Sequence, residues 1–408
     1  MKNTYIPKEV DIIIIGAGIS GCGTAYYLAK GGFNVLVVEK RSIASGASGR
    51  MGSCFIQIDG RTFTKERIIK RLPWVRADLK VLEGLSDELG YDIEFFQFGS
   101  VDFSTSEEET ELLKKITNIQ KEAGDDVVEF LDREELSKYC PNLSKEVQGG
   151  KFTHNDGTVN PIKLSWSYVM AACKKYKAKI LLHTKVEKII FQGNKAVGVK
   201  TNHGEIRASK MVINCTNAWS LEFAPEIPIF PVNNITSVTE PVPIIPLIAW
   251  ESTYEGRYGY GAQQKRGNII TGSLPVRLPE NVEAHFDERV SHEDLINHAS
   301  VLESRFPLLK GISIIRIWAG VFCMTPDRFP YIGPMPGYEN YFINTGYSAG
   351  LPYCPIGAKL TSEYILNNGI TSIPIDLARP ERYYGMKFEI PKKYNYTILE
   401  ETIDKWDL

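Results

Sequence analysis

Three glycines and one acid carry the clearest chemical signal in this sequence. Gly16, Gly18 and Gly21 stand at the G-x-G-x-x-G spacing within "VDIIIIGAGISGCG", and Glu39 follows 18 residues after the last of them. The first glycine allows a tight turn, and the second lets the backbone approach a pyrophosphate. The third lets a helix lie close on a strand. An acid at that distance accepts hydrogen bonds from ribose hydroxyls and disfavours a 2′-phosphate, so NADP is not expected. Ser20 and Lys40 adjoin these positions and join the candidate dinucleotide contacts. His154 and His183 are the histidines weighed for catalysis, and both read as surface or turn residues. The seven cysteines are scattered, with no C-x-x-C and no Cys/His grouping spaced for a metal.

Such a turn works only between the right elements. Asp11 to Ile15 is short, β-branched and almost wholly apolar, which suits a strand buried on both faces of a parallel sheet. Ala25, Leu28 and Ala29 continue as a helix that "KGG" ends, and "NVLVVEK" makes the next strand, finishing at Glu39. The loop "RSIASGASGRMGSCFIQIDG" then supplies small residues, including Ser45, Ser48, Gly49 and Arg50, instead of turning straight into a helix. Backbone N–H groups and hydroxyls in a loop of this kind suit a long, extended dinucleotide, which favours FAD over NAD. Farther on, Ile68, Leu72, Val75, Leu79, Leu82 and Leu85 form one helical stripe between Thr64 and Gly90, with Pro73 inside it. The acids from Glu107 to Glu111 read as a solvated helix start. "DGTVNP" opens a helix from Ile162 to Lys177, "YGYGAQQKRGNIITGS" reads as a hairpin around Arg266–Gly267, and "SHEDLINHASVLESRFP" as an amphipathic helix.

Composition narrows the classes. The chain has 408 residues, enough for two or three domains, with 43% hydrophobic and 24% charged residues. Lys plus Arg (47) nearly balance Asp plus Glu (49), so no global field favours nucleic acid or an anionic membrane. The opening "MKNTYIPKEVD" lacks the apolar run of a signal peptide, and no stretch is long and apolar enough for a transmembrane segment. The cytoplasm is the expected compartment.

Beyond the glycine unit, the sequence resembles the FAD-dependent oxidoreductases of the D-amino-acid-oxidase-like superfamily. The acid-ended strand followed by "GASGR", the middle block ending in "NCTNAW", and "IRIWAGVFCMTPDRFPYIGPMPGYENYFINTGYSAGLPYCPIG" carry the resemblance. It implies an α/β fold: a discontinuous Rossmann-type FAD-binding domain (1–89, 148–224 and 318–408) with an inserted, β-sheet-rich substrate domain (90–147 and 225–317). It also implies that the strand of Val186 passes the adenine and that Asn217 and Trp219 return to the cofactor. Gly320, Asp327, Gly346, Ser348 and Gly350 belong to the C-terminal signature.

The implied activity is oxidation of an amine or amino acid, in which hydride passes from the carbon beside nitrogen to the flavin and an imine is left. Glycine-oxidase-like members place an arginine four residues after the Trp of W-A-G, and Phe322 stands there here. The carboxylate clamp then falls to Arg50, Arg316 or Lys265, or the substrate is not a simple small amino acid. Tyr258 and Tyr260 are the candidate hydroxyls in the roof. Phe322 with "CMTPD" brings the chain nearest to β-type subunits of sarcosine oxidases, proline or hydroxyproline dehydrogenases and cyanide-forming glycine dehydrogenases. A second redox subunit is therefore an expected partner. A self-sufficient oxidase, or a flavin-binding subunit without its own activity, stays open. The attachment sites of relatives with covalent flavin align with Gly320 and Pro161, so non-covalent FAD is expected.

Overall fold

The apolar run at the start folds as the strand Glu9–Ile15, and its alternation explains why it needs no polar face. Ile12 and Ile14 point into one hydrophobic cluster and Ile13 and Ile15 into another, all four almost fully buried. The computed structural model describes residues 6–58, 64–245, 248–254, 257–275 and 286–388. The C-terminal tail beyond Phe388, whose role the sequence leaves open, lies outside them.

Glu9–Ile15 sits inside an eight-stranded sheet, between Gly204–Asn214 and Val35–Val38, parallel to both. Lys179–Leu181 extends one side in parallel, and Tyr341–Thr345 pairs with Gly204–Asn214. The helices Ile19–Lys30, Pro161–Tyr176 and Cys354–Leu366 cover one face. Close approach decides the glycines here. A Cβ on Gly21 would stand 2.1 Å from the Gly16 carbonyl oxygen, and Gly16 itself has φ +102°. No other residue allows the helix to start so tightly against the strand end.

The stripe from Ile68 to Leu85 is the buried face of the helix Lys65–Leu89, capped by Thr64 and closed by Gly90 in the left-handed conformation. The acid run opens the helix Glu107–Glu122, whose N-cap is Ser106. The hairpin forms between Arg257–Gln263 and Ile269–Ser273.

The second sheet is also eight-stranded, in the order Ile314–Met324, Phe230–Thr239, Ile269–Ser273, Arg257–Gln263, Ala249–Tyr254, Ser100–Ser104, Gly149–Thr153, Val128–Asp132. Two strands depart from the segment boundaries read in the sequence. Gly149–Thr153, grouped with the FAD-binding segment 148–224, pairs antiparallel with Ser100–Ser104 and Val128–Asp132. Ile314–Met324 pairs with Phe230–Thr239 along almost its whole length, so residues 318–324 belong to the second sheet. Non-local pairing of this kind is invisible to a scan for local pattern. The helix His292–Arg305 packs on this sheet through Val301, Leu302 and His298.

Candidate functional site

The cleft between the two sheets is built from the glycine turn outward. Gly16 N–H donates to the Val38 carbonyl (2.9 Å), tying the turn to the neighbouring strand. Glu39, at the end of that strand, accepts from the N–H of Ala17 (2.9 Å) and of Arg41 (2.7 Å). Its carboxylate thus orients the turn and the start of the small-residue loop, with lone pairs left for a further donor. Ser48 Oγ accepts from Ile19 N–H (3.1 Å), and Ala44 N–H donates to the Ala17 carbonyl (2.9 Å), so the loop folds back over the helix start. That helix has no acid in its first turn and no side-chain cap at Gly18. An acid-free N-terminus facing a cleft, with no side chain at its N-cap and a neutral hydroxyl on its first N–H, is suited to a pyrophosphate. The residues present fit FAD.

One end of the cleft is lined by Lys40, Thr184, Lys185, Val186 and Trp219. Lys40 Nζ lies 4.3 Å from the centre of the Trp219 ring, and partial burial lowers its pKa. The other end is roofed by Asn234, Glu251, Tyr258, Tyr260 and Leu274 from the second sheet. Register across the sheet sets Asn234 opposite Gly320, Val232 opposite Phe322 and Phe230 opposite Met324. Gly320, Phe322 and Met324 therefore share a strand face, and all three line the cleft. The wall is Ser348 to Pro352.

Tyr260 is packed on Gly52, and its hydroxyl accepts from Asn234 Nδ2 (2.9 Å). Burial pushes its pKa up to about 12, so the phenol keeps its proton. Tyr258 donates to Glu251 Oε2 (3.2 Å), and the Glu251 carboxylate is almost fully buried. Asn217, in the left-handed conformation, accepts from Tyr347 N–H (2.9 Å) and from the Cys323 thiol (3.2 Å), which fixes the wall beside it.

Thirteen of the sequence candidates line this one cleft: Gly16, Gly18, Ser20, Glu39, Lys40, Ser48, Arg50, Val186, Asn217, Trp219, Gly320, Ser348 and Gly350, together with Tyr260. Gly21 lies behind it as a packing glycine. Gly346 also serves packing, with φ +80° and its Cα facing Thr325 and Tyr331. Asp327 is engaged elsewhere, in an ion pair with Arg382 (2.8 Å) and a hydrogen bond from Phe329 N–H (3.0 Å). Arg316 is corrected most clearly. With Lys265, Ser45 and Gly49 it lines a second cleft, beyond the small-residue loop, where its guanidinium lies over Trp318. Arg316 is six residues before Phe322 and so shares its strand face, but it stands about 20 Å farther along the strand, opposite Val238, beyond the end of the first cleft. Arg50 lines both clefts, but its guanidinium is held by Glu288 (2.6 Å) and by the Ala319 carbonyl (3.0 Å).

Sequence reading missed Asn234, Glu251, Glu288 and Arg328. Arg328 lines the cleft from a left-handed backbone (φ +59°). Arg328 falls within the "TPDRFP" run but at a position that run does not specify, and the other three fall in no spaced motif. Strand alternation in "AWEST" was the only available signal for Glu251. His154 is exposed and pairs with Glu129, and His183 is exposed. All seven cysteines are free. Among the described residues no group of His, Cys, Asp or Glu could hold a metal ion, and no helix is long and apolar enough to cross a membrane.

A nucleotide-binding sheet with a parallel centre, roofed by a second, largely antiparallel one, with a glycine turn opening into the cleft between them, defines a dinucleotide-binding protein built on two large sheets. The chain belongs to the FAD dependent oxidoreductase family (DAO), whose family model matches residues 11–364, and its cofactor is FAD. It is 26% identical over 357 residues to sarcosine oxidase subunit beta of Rhodobacter capsulatus, covering 84% of this chain and 81% of that one. It is 25% identical over 401 residues to the mitochondrial dimethylglycine dehydrogenase of Mus musculus, covering 92% of this chain but 44% of that protein. The chain thus spans less than half the length of that relative. Among solved structures, L-proline dehydrogenase from P. horikoshii superposes with a TM-score of 0.80 at 29% identity, over 93% of this chain and 98% of that one.

Proposed function

We propose that the chain oxidises the C–N bond of a small amino acid or secondary amine of the proline, hydroxyproline, sarcosine or glycine type, as the FAD subunit of a hetero-oligomeric dehydrogenase. The observation that carries this reading is the single cleft that runs from the Glu39 end to a roofed chamber bounded by Tyr258, Tyr260, Phe322 and Met324. Bound there, FAD would supply the acceptor for the hydride on the carbon beside the substrate nitrogen. Asn217 and the Ser348–Pro352 wall position the ring end, and Gly320 leaves room beside the Arg50 stem. Phe322, Met324 and Leu274 desolvate the chamber. An ammonium group brought into it is pushed towards its neutral form, the form able to release hydride. The neutral Tyr260 phenol is a hydrogen-bond donor that stays in place across the physiological pH range.

The relatives named above support the substrate class, and one of them is a β subunit, which supports a second redox chain as partner. The second cleft carries Lys265, Arg266 and Arg316 beyond the Lys163–Glu94 and Arg50–Glu288 pairs, and so offers that partner a net cationic face. FAD is held without a covalent bond in this reading. Gly320 and Pro161 offer no nucleophile, and burial holds the thiol of Cys54, which lines the chamber, in its unreactive protonated form.

The test is anaerobic titration of the flavin-loaded chain with proline, hydroxyproline, sarcosine, glycine and both alanine enantiomers, followed at the visible flavin bands. Bleaching by one of them establishes the reaction and names the substrate. Stable bands with every compound, both alone and with the partner chain, sink the reading. Stoichiometric peroxide on admitting air marks a self-sufficient oxidase instead of a dehydrogenase subunit. Acid precipitation is expected to leave all the flavin in the supernatant.

A further inference from the structure

One short segment of the second sheet's domain reaches across to the cofactor loop. Glu288 Oε1 lies 3.1 Å from Arg41 Nη1, and Glu288 Oε2 lies 2.6 Å from Arg50 Nη1. Arg41 and Arg50 are the two ends of the small-residue loop that carries Ser48 to the helix start and Ala44 to the glycine turn. A single carboxylate therefore closes the loop at both ends. The segment is anchored on either side of that contact. Phe286 packs on Trp219, with ring centres 5.4 Å apart, at the Lys40 end of the cleft. The Asp287 carbonyl accepts from Asn233 Nδ2 (2.6 Å), on the strand whose next residue, Asn234, holds Tyr260.

We propose that Glu288 is a positioning residue for the cofactor: by pairing with Arg41 and Arg50 it preorganises the loop 41–50 over the dinucleotide and slows FAD release. Each end of the loop is also held by a hydrogen bond to its carbonyl, Arg41 from His183 N–H (3.1 Å) and Arg50 from Thr236 Oγ1 (3.0 Å) and Trp318 Nε1 (3.1 Å). These reach different elements, and Glu288 is the link that ties the two ends to each other. Freedom left between the ends would be lost as entropy on closing over a ligand. Joining the two ends removes part of that loss before FAD arrives. The three side chains are a quarter to a third exposed, so the pairs are partly screened and sensitive to salt.

The inference concerns cofactor retention and stands whichever amine is the substrate. It is tested on the full chain stripped of flavin, by titrating FAD and following the quenching of its fluorescence. Glu288→Gln keeps shape and removes charge. It is expected to weaken FAD binding about tenfold at low salt, mostly through faster release. Raising the salt should weaken wild-type binding towards the variant's value and leave the variant nearly unchanged. Arg41→Gln should cost part of the same effect, and the double variant should be no worse than Glu288→Gln alone. Glu111→Gln, which breaks an exposed helix pair with Lys114, is the control and should bind FAD as the wild type does. Equal FAD affinity in Glu288→Gln and wild type overturns the proposal. So does weaker binding that keeps the wild-type salt dependence and tracks a fall in the melting temperature of the flavin-free protein.

Discussion

His298 offers a quantitative test of how the roof of the cleft is held. It projects from the helix His292–Arg305 into the back of the second sheet and is 1% exposed. Three hydroxyls surround its ring: Ser237 and Thr271 at Nε2 (2.8 Å each) and Ser273 at Nδ1 (2.7 Å). Burial lowers its pKa to about 4, against an ordinary value of 6.5. The native state therefore holds a neutral imidazole, and the unfolded state binds the proton first. Its contribution is complete above pH 6.5 and is lost as pH falls towards 4. The loss amounts to about 3.5 kcal/mol, from the fall of the pKa from 6.5 to about 4 at about 1.4 kcal/mol per tenfold change in proton affinity.

Asp156 acts in the opposite sense. Its carboxyl accepts from Ser100 and Gln57 in a fully buried site, and desolvation raises its pKa to about 6. Its contribution is complete below the ordinary value of 3.8 and fades as pH rises past 6, by about 3 kcal/mol. Between pH 4 and 6 the two nearly cancel, so the wild-type profile alone is uninformative. The perturbation is His298→Gln, read against the wild type by urea unfolding at pH 7, 6, 5 and 4.5, with tryptophan fluorescence as the signal. The variant is destabilised at pH 7 by the lost hydrogen bonds, and its deficit should shrink by 2 to 3 kcal/mol on the way to acid. A deficit that stays constant with pH refutes the argument, because it would mean that the imidazole titrates alike in both states.

The other predictions concern the cofactor and the chamber. Gly16→Ala places a Cβ 2.9 Å from the Cys215 carbonyl oxygen at a backbone angle that only glycine adopts freely, so the purified chain should emerge without flavin absorbance. A normal flavin content would mean that the turn does not hold the dinucleotide. Tyr260→Phe removes the acceptor of Asn234 and the only hydroxyl of that ring, and kcat/KM for the bleaching substrate should fall about tenfold. An unchanged kcat/KM would show that Tyr260 only packs against Gly52.

The glycine turn, the strand before it and the acid after it were legible because their meaning is local. Each requirement is met within thirty residues by a backbone that must turn, approach a ligand or pack closely. The helix stripe from Ile68 to Leu85 and the capped acid run at Glu107 were legible for the same reason, since helical periodicity and capping are written in neighbouring residues. The roof was not. Tyr260 meets Gly52 and Asn234, and Glu288 meets Arg41 from 247 residues away.

Strand pairing decides such contacts, and pairing depends on which other strands are available, not on the strand's own pattern. That is why Gly149–Thr153 joined the second sheet and why Arg316, two residues before the Trp of W-A-G, stands at a different cleft. Glu288 shows the same limit in a loop, where neither periodicity nor spacing marks it. The sequence by itself determined the nucleotide-binding unit and its cofactor, because local backbone geometry and the spacing of a few residues specify them. Only the tertiary structure decided which side chains close the chamber and which charges are already spent on one another, because those depend on long-range pairing between segments that no local rule connects.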